Sequence, residues 1–315
     1  MEIRHVHDNK KGDELQSSLK DASDARSVMT LADQTSQKTI LDCLQHTWGS
    51  ELNIVGEEDD IPRNLETVNK NLELAKDWLD DDIGETADIP ADQITIFVDP
   101  LDGTREFVEG RLENCQVLVG IAIDGEAVAG AIGIPFASDE GATVVYGLAD
   151  IGTGVRGPTL TRGPFPLEKY VDGLKYPRPH HAVGDNPFPV IQSATETVIS
   201  QVGGSTVTYG GAGNKILATA LSEVSSSLQH KVGGPWDTCA PEAVARAMGA
   251  EVTDLFGEPI SMYAKEPPSR ANERGFAVTA PGTDHGAFMN IVLKSPAVQK
   301  YREIVTKDEA VEQSN

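Results

Sequence analysis

The amino-acid sequence predicts an α+β or layered α/β fold in two sub-domains. Three observations predict it. Apolar residues recur in the order helix, strands, loop, then mixed helix and strand, which fits packed layers better than a strict βαβ repeat. A hairpin stands out: residues 117–123 and 127–134 are apolar and β-rich on either side of Asp124-Gly125, a turn pair that suits a two-residue loop. Residues 150–190 are rich in Gly and Pro and read mostly as loop. They mark the division, giving an N-terminal α+β sub-domain over 1–160 and a C-terminal α/β sub-domain over 161–315.

The elements follow in order. Residues 1–27 are polar and weakly patterned. An early helix is expected next, with Ile40, Leu41, Leu44 and Trp48 as one apolar stripe. Residues 52–55 read as a short strand running into Gly56-Glu57-Glu58-Asp59-Asp60. A helix over 64–80 would carry Leu72, Ala75 and Leu79 on one side. Thr95-Ile96-Phe97-Val98 is a buried-strand run broken at Asp99-Pro100, and Pro135 is expected to end the hairpin. Residues 215–229 look helical. After Trp236-Asp237 a further helix opens near Thr238, with Pro241 in its first turn and Gly249 past its end. A short strand covers 276–279.

Composition narrows the function classes. The chain has 315 residues, 39% of them hydrophobic, enough for one large domain or two packed ones. With 26 Lys and Arg against 49 Asp and Glu, the net charge is −23. Such a chain repels nucleic-acid polymers and acidic membranes at long range. It binds an anionic metabolite only if something local, such as a divalent metal, supplies positive charge. Cys43, Cys115 and Cys239 are odd in number and far apart, which argues against a disulfide framework or a cysteine zinc site. The N-terminus has no apolar core of a signal peptide, and no apolar stretch reaches membrane-spanning length. The expected setting is cytoplasmic.

The chemistry concentrates at Val98-Asp99-Pro100-Leu101-Asp102-Gly103-Thr104. A strand ends, Pro100 fixes one backbone angle and Gly103 permits a tight bend. Such a loop aims Asp99, Asp102 and the Leu101 carbonyl at one point, all hard oxygen ligands of the kind magnesium prefers. The N–H groups of Gly103 and Thr104 beyond it are placed to meet a phosphate. Taken alone, the segment is an ordinary acidic turn. Glu57 and Glu58 after the strand, Asp237 before its helix and Asp33 in Thr30-Leu31-Ala32-Asp33 have equally bland readings singly, as a charged loop and N-cap aspartates. Their conjunction is much less common. The acidic loops also lack the alternating pattern of an EF-hand.

Together the segments TLADQTSQKTI (30–40), IVGEED (54–59), VDPLDGTREFVEG (98–110) and WDTCAPEAVARAMGAEVTD (236–254) resemble the lithium-sensitive, magnesium-dependent phosphatase superfamily. That group contains inositol monophosphatase, inositol polyphosphate 1-phosphatase and the 3'(2'),5'-bisphosphate nucleotidases. Gly210-Gly211-Ala212-Gly213-Asn214-Lys215-Ile216 and the run from Val117 through AIDGEAVAGAIGIPF look like the nucleotidase branch. The resemblance spans about residues 28–280. It implies an alternating α-β-α-β-α sandwich of the sugar-phosphatase type, and hydrolysis of a phosphate monoester on a small phosphorylated metabolite with two or three Mg2+ ions. It further implies lithium sensitivity, a place in sulfur metabolism, and a monomer or weak homodimer.

By the same resemblance, Glu57, Asp99, Asp102, Asp237 and the Leu101 carbonyl would hold the metal. Asp33 and Thr104 would activate the attacking water, and Gly103 and Thr104 would hold the phosphate. Ser193, Gly211, Lys215 and Asp237 would contact the rest of the substrate, with Lys215 adding a charge on a second phosphate. Two departures stand out. The branch carries a Ser-His pair before the double glycine, whereas Gln192-Ser193-Ala194-Thr195-Glu196-Thr197 has no histidine. Relatives also place a long helix upstream of Thr30, most of which is not expected here. The first reading is a 3'(2'),5'-bisphosphate nucleotidase. An inositol polyphosphate 1-phosphatase is the alternative enzyme, and a catalytically inactive phosphometabolite sensor the alternative of another class.

Overall fold

A computed structural model of the protein describes residues 2–8, 17–19, 28–49, 52–58, 89–157, 179–185, 187–231, 233–264 and 272–312. The helix expected over 64–80, Asp59-Asp60 and the 160/161 division lie outside these residues. The chain begins with α1 (Glu2–Asp8), β1 (Ser17–Leu19), β2 (Val28–Thr30), α2 (Leu31–Trp48) and β3 (Asn53–Gly56). Then come β4 (Ile94–Asp102), α3 (Thr104–Val108), β5 (Gln116–Ile123), β6 (Glu126–Ser138), β7 (Gly141–Leu148) and β8 (Gly152–Arg156). The remainder runs β9 (His180–Val183), α4 (Pro189–Val202), β10 (Ser205–Thr208), α5 (Ala212–Ala220), β11 (Ser226–Gln229), α6 (Cys239–Ala247), β12 (Glu251–Thr253), β13 (Phe276–Thr279), α7 (His285–Val292) and α8 (Pro296–Glu312).

Among the described residues, β3-β4-β5-β6-β7-β8 form a six-stranded sheet and β10-β9-β11-β13-β12 a five-stranded one, beside the pair β1-β2. The first sheet is antiparallel except for β3 beside β4. The second is parallel through β10, β9 and β11, then antiparallel. Helices α5 and α6 lie between the sheets: α6 covers β5, β6 and β7 and reaches β12, while α5 touches β4, β5, β9, β11 and β13. Helix α2 lies on β4, and α4 and α7 cover the second sheet with α8 against α4. The layers therefore alternate α-β-α-β-α, as the resemblance implies. Glycines let α6 sit directly on the first sheet: a Cβ at Gly120 would stand 2.6 Å from the Ala240 amide nitrogen, and Gly130 faces the Ala240 carbonyl as closely. No helix among the described residues is long and apolar enough to cross a membrane.

Several expectations are corrected. The hairpin turn is in place, with Asp124 and Gly125 both at positive φ, but β6 runs past Pro135 to Ser138. The β6–β7 register shifts between Ile134 and Ser138, and at such an irregularity a missing N–H is tolerated. The face of α2 that is buried is not the Ile40–Trp48 stripe. It carries Ala32, Asp33, Ser36, Gln37, Leu41 and Asp42, while Trp48 is 58% exposed. The polar face points at the acidic loops. Residues 215–229 are not one helix: α5 stops at Ala220, Ser222 adopts positive φ, and β11 follows. In its place in the sheet, β11 uses its serines, with Ser227 beside Thr219 and Ser226 beside His181. The strand over 276–279 and the helix after Thr238 are as read. The Gly/Pro-rich stretch 150–190 is not all loop: β8 and β9 lie inside it, made strand by pairing with β7 and with β10 and β11, and α7 and α8 follow β13.

Candidate active site

The site is built on an irregularity in β4. Residues three apart on a regular strand face opposite sides. Here Asp99 pairs with Leu118 and Asp102 with Gln116, so β4 carries one residue more than β5 across this step. That bulge brings Asp99 and Asp102 round to one side. Pro100 sits inside it, where no ladder N–H is required. The Leu101 amide donates to Asp99 Oδ1 at 2.9 Å. Gly103, at φ +87°, then turns the chain into α3, a backbone conformation costly for other residues.

Asp237 reaches the same point from the second half of the chain. It closes a short 3-10 turn over Pro235–Asp237, and its Oδ2 accepts from the Gly234 amide at 2.7 Å. Oxygens of Asp99, Asp102 and Asp237 all lie within 4.8 Å of one another. Asp102 also caps α5, accepting from the Ala212 and Asn214 amides at 2.9 and 3.3 Å. Burial pushes its carboxyl up to about 6, against the pull of Lys215 and of those two amides, and Glu57 adds to the rise. Lys215 is itself buried, which lowers its pKa, while Asp102, Glu106, Asp237 and Asp185 oppose that shift. Its Nζ donates to the carbonyls of Gly211 and Tyr209 at 2.6 and 3.2 Å.

A second acidic group, Asp33, Glu57 and Glu58, adjoins the first, its oxygens likewise within 4.8 Å of one another. Strand β3 delivers Glu57, whose amide donates to the Val98 carbonyl at 3.0 Å. Gln37 clamps the next residue, donating to the Glu58 carbonyl at 2.6 Å and accepting from its amide at 3.0 Å. Gly56 leaves room for that clamp, since a Cβ there would come 2.7 Å from the Gln37 amide group. Thr30, not Asp33, is the N-cap of α2. Asp33 is the third residue of a capping box, its Oδ2 accepting from the Thr30 amide and hydroxyl at 2.6 and 2.7 Å. Its Oδ1 accepts from the Thr104 hydroxyl at 2.8 Å, and that hydroxyl also lies 3.0 Å from the Leu101 carbonyl oxygen.

Buried carboxylates drawn this close repel one another unless a cation lies among them. The donor set is all oxygen, carboxylates plus the Leu101 carbonyl, and so fits a hard divalent ion rather than zinc or copper.

Beside the carboxylates opens a cleft of about 660 Å³, whose lining includes Gly103, Gly211, Lys215, Asp237, Phe188 and His230. The two rings lie 4.0 Å apart between centroids, tilted by 41°. Arg105 and Asp185 form an ion pair of 3.0 Å on the wall. Sequence reasoning missed Asp185, Phe188 and His230. Asp185 follows β9, Phe188 is the N-cap of α4 and His230 follows β11, and recognising β9 inside the Gly/Pro-rich stretch was the signal that would have found the first two. It also misplaced Ser193. Helix α4 begins at Pro189 and carries Ser193 away from the cleft, where its hydroxyl lies 3.0 Å from that of Ser295. The cleft is lined instead, in this part of the chain, by Gly184, Asp185, Pro187, Phe188 and Ile191. Asp33, Glu57, Asp99, Leu101, Asp102, Gly103, Thr104, Gly211, Lys215 and Asp237 are all brought to this one region.

The inositol monophosphatase family model matches residues 3–295. The chain is 30% identical over 271 residues to 3'(2'),5'-bisphosphate nucleotidase 1 of Homo sapiens, covering 84% of this chain and 82% of that one. Among solved structures, the extragenic suppressor protein suhB of Bartonella henselae matches with a TM-score of 0.63 at 16% identity, over 92% of this chain and 93% of that one. An IMPase/NADP phosphatase complexed with Mg2+ and phosphate matches with a TM-score of 0.60 at 14% identity, over 92% and 88%. At such identities the structures speak for the fold alone.

Proposed function

The chain belongs to the inositol monophosphatase family, and from that premise we propose that it is a magnesium-dependent 3'(2'),5'-bisphosphate nucleotidase, converting adenosine 3',5'-bisphosphate to AMP and phosphate. The observation that carries the reading is the convergence of Asp99, Asp102 and Asp237 beside a cleft that Asp237, Phe188 and His230 help to line. Glu57, Asp99, the Leu101 carbonyl, Asp102 and Asp237 would hold two or three magnesium ions. Such ions supply neutralisation of the phosphoryl oxygens and a lower pKa for the attacking water.

The chain's own residues do the rest. Thr104 donates its hydroxyl hydrogen to Asp33, which leaves its oxygen to accept a hydrogen bond from the water; as it takes the water's proton it passes its own to Asp33 Oδ1. Gly103 and Thr104 bring backbone N–H groups to the phosphate at the start of α3. Phosphoryl transfer depends mainly on such positioning and electrostatics. Lys215, buried beside Asp102, adds positive charge to the cleft wall. The facing pair Phe188 and His230 favours a flat nucleobase over a polyol ring, because an aromatic face stacks on a planar base. We place the protein in the cytoplasm, as a monomer or weak homodimer.

The test is phosphate release from adenosine 3',5'-bisphosphate and from inositol 1,4-bisphosphate, each with magnesium, magnesium plus lithium, and EDTA. Lithium-sensitive release from the nucleotide alone is expected. Preference for the inositol compound would move the chain to the polyphosphate 1-phosphatase branch, and no release by folded protein would make it a sensor.

A further inference from the structure

The carboxylates of the acidic cluster come from two elements far apart in the chain. Asp99 and Asp102 stand on β4, and Asp237 stands in the turn before α6. The turn that carries Asp237 touches β4 directly, and Tyr263 adds a second tie between β4 and α6. It is 1% exposed, and its ring packs against Phe97 of β4, two residues before Asp99, with centroids 5.8 Å apart. Its hydroxyl lies 2.6 Å from Glu242 Oε2 on α6 and 3.1 Å from Thr238 Oγ1, the neighbour of Asp237.

Glu242 is 6% exposed, and a buried carboxylate costs free energy that an apolar residue of the same size would not. Its nearest cation compensates weakly. Arg246 Nη1 stands 3.9 Å from Oε1 and is engaged instead with the Ala127 carbonyl, while Nη2 pairs with Asp150. What Glu242 gains is the short bond to the phenol. A phenol has one hydrogen. Given to the carboxylate, it leaves the phenol oxygen to accept the Thr238 hydroxyl. The chain Thr238–Tyr263–Glu242 is then fully directed, and it ties the first residue after Asp237 to a ring resting on β4. Thr238 is the N-cap of α6 and makes no side-chain bond to the helix amides, so its hydroxyl is committed to this chain instead.

We propose that Glu242 and Tyr263 are positioning residues that fix Asp237 relative to Asp99 and Asp102, and thereby set the affinity of the site for its divalent ions. The proposal rests on the metal-centre reading above. It is tested on the full chain by Mn2+ binding, followed by electron paramagnetic resonance and calorimetry, with magnesium-dependent turnover in parallel. Tyr263→Phe and Glu242→Ala are expected to weaken Mn2+ binding on the order of tenfold, as outer partners of metal sites do, with kcat at saturating magnesium within about twofold of the parent. Glu242→Gln still accepts from the phenol and is expected to restore binding to within about threefold. Parent-like Mn2+ affinity in folded Tyr263→Phe would overturn the proposal, as would a Glu242→Gln that binds as poorly as Glu242→Ala. Tyr263→Phe is isosteric and carries the test even if Glu242→Ala does not fold. A parent protein that binds no Mn2+ would instead overturn the metal reading itself.

Discussion

Thr104 and Asp33 are separated by 71 residues of sequence, and the hydroxyl of the first donates to Oδ1 of the second at 2.8 Å. The other oxygen of Asp33 is taken by Thr30. A carboxylate held on both sides by donors is fixed in orientation and stays an acceptor. The Thr104 hydrogen is thus committed before any substrate arrives, and the direction of proton movement at its oxygen is set.

Thr104→Ala is therefore expected to lower kcat by about 10²–10⁴, the usual range for losing a positioned acid–base group, with a smaller change in KM. Thr104→Ser keeps the hydroxyl and should retain most of the turnover. Steady-state kinetics with adenosine 3',5'-bisphosphate separate the two. Equal kcat in parent and Thr104→Ala would remove the residue from the mechanism.

Gln37 makes a testable case for the second acidic group. It is 2% exposed and makes both of its bonds to the Glu58 backbone. Removing it strands a buried amide and a buried carbonyl, which costs about 1–3 kcal/mol for each group left unpaired. Gln37→Ala should lower the urea midpoint and raise the magnesium concentration for half-maximal activity, because Glu57 sits on the loosened loop. Gly56→Ala should do the same from the other side of the clamp by crowding Gln37. A lower midpoint with unchanged magnesium dependence would make the clamp purely structural.

The site was more legible in the sequence than the fold around it, for a physical reason. Asp99, Leu101, Asp102, Gly103 and Thr104 lie within six residues, and Pro100 with Gly103 forces an irregular path whatever packs nearby. The elements that were misread depend on distant partners. Ser226 and Ser227 become strand by pairing with β9 and β13, which no local propensity reveals. Helix α2 buries Asp33 and Gln37 because the Thr104 hydroxyl and the Glu58 backbone await them across the layer, so its apolar residues pointed to the wrong face. Phe188 and His230 meet only when β9 and β11 lie side by side in the sheet.

Two buried histidines predict a pH dependence of stability. His285 places Nε2 and Nδ1 each 3.0 Å from the hydroxyls of Thr253 and Thr279, and His181 places Nδ1 2.8 Å from that of Ser226. Burial lowers both pKa values below the ordinary 6.5. Below about pH 6.5 the unfolded chain then binds more protons than the folded one. Stability should be full above that pH and fall as pH drops, by at most about 1.4 kcal/mol per pH unit for each histidine. Urea unfolding at pH 7.5 and 5.5 measures this, and His285→Gln should lose less between the two than the parent. An equal loss would assign the acid sensitivity elsewhere.

Asp102 predicts that function and metal-free stability oppose each other. Its carboxyl is pushed up to about 6 by burial, with Glu57 adding to the rise, so from about pH 4 upward the folded state holds a proton more firmly than the unfolded chain does. Above about pH 6 the charged group costs the metal-free protein stability. Asp102→Asn removes that cost and keeps one acceptor for the Ala212 amide, so its melting temperature in EDTA should exceed the parent's. With magnesium the order should reverse. A ligand at a hundred times its Kd stabilises the folded state by about 2.7 kcal/mol, and the variant, lacking a carboxylate at the cluster, should gain far less while losing turnover. Thermal melts of both proteins in EDTA and in magnesium decide it. A parent whose melting temperature ignores magnesium would show that the cluster binds no ion there, and a variant less stable than the parent in EDTA would show that the Asn214 amide bond outweighs the relief of charge.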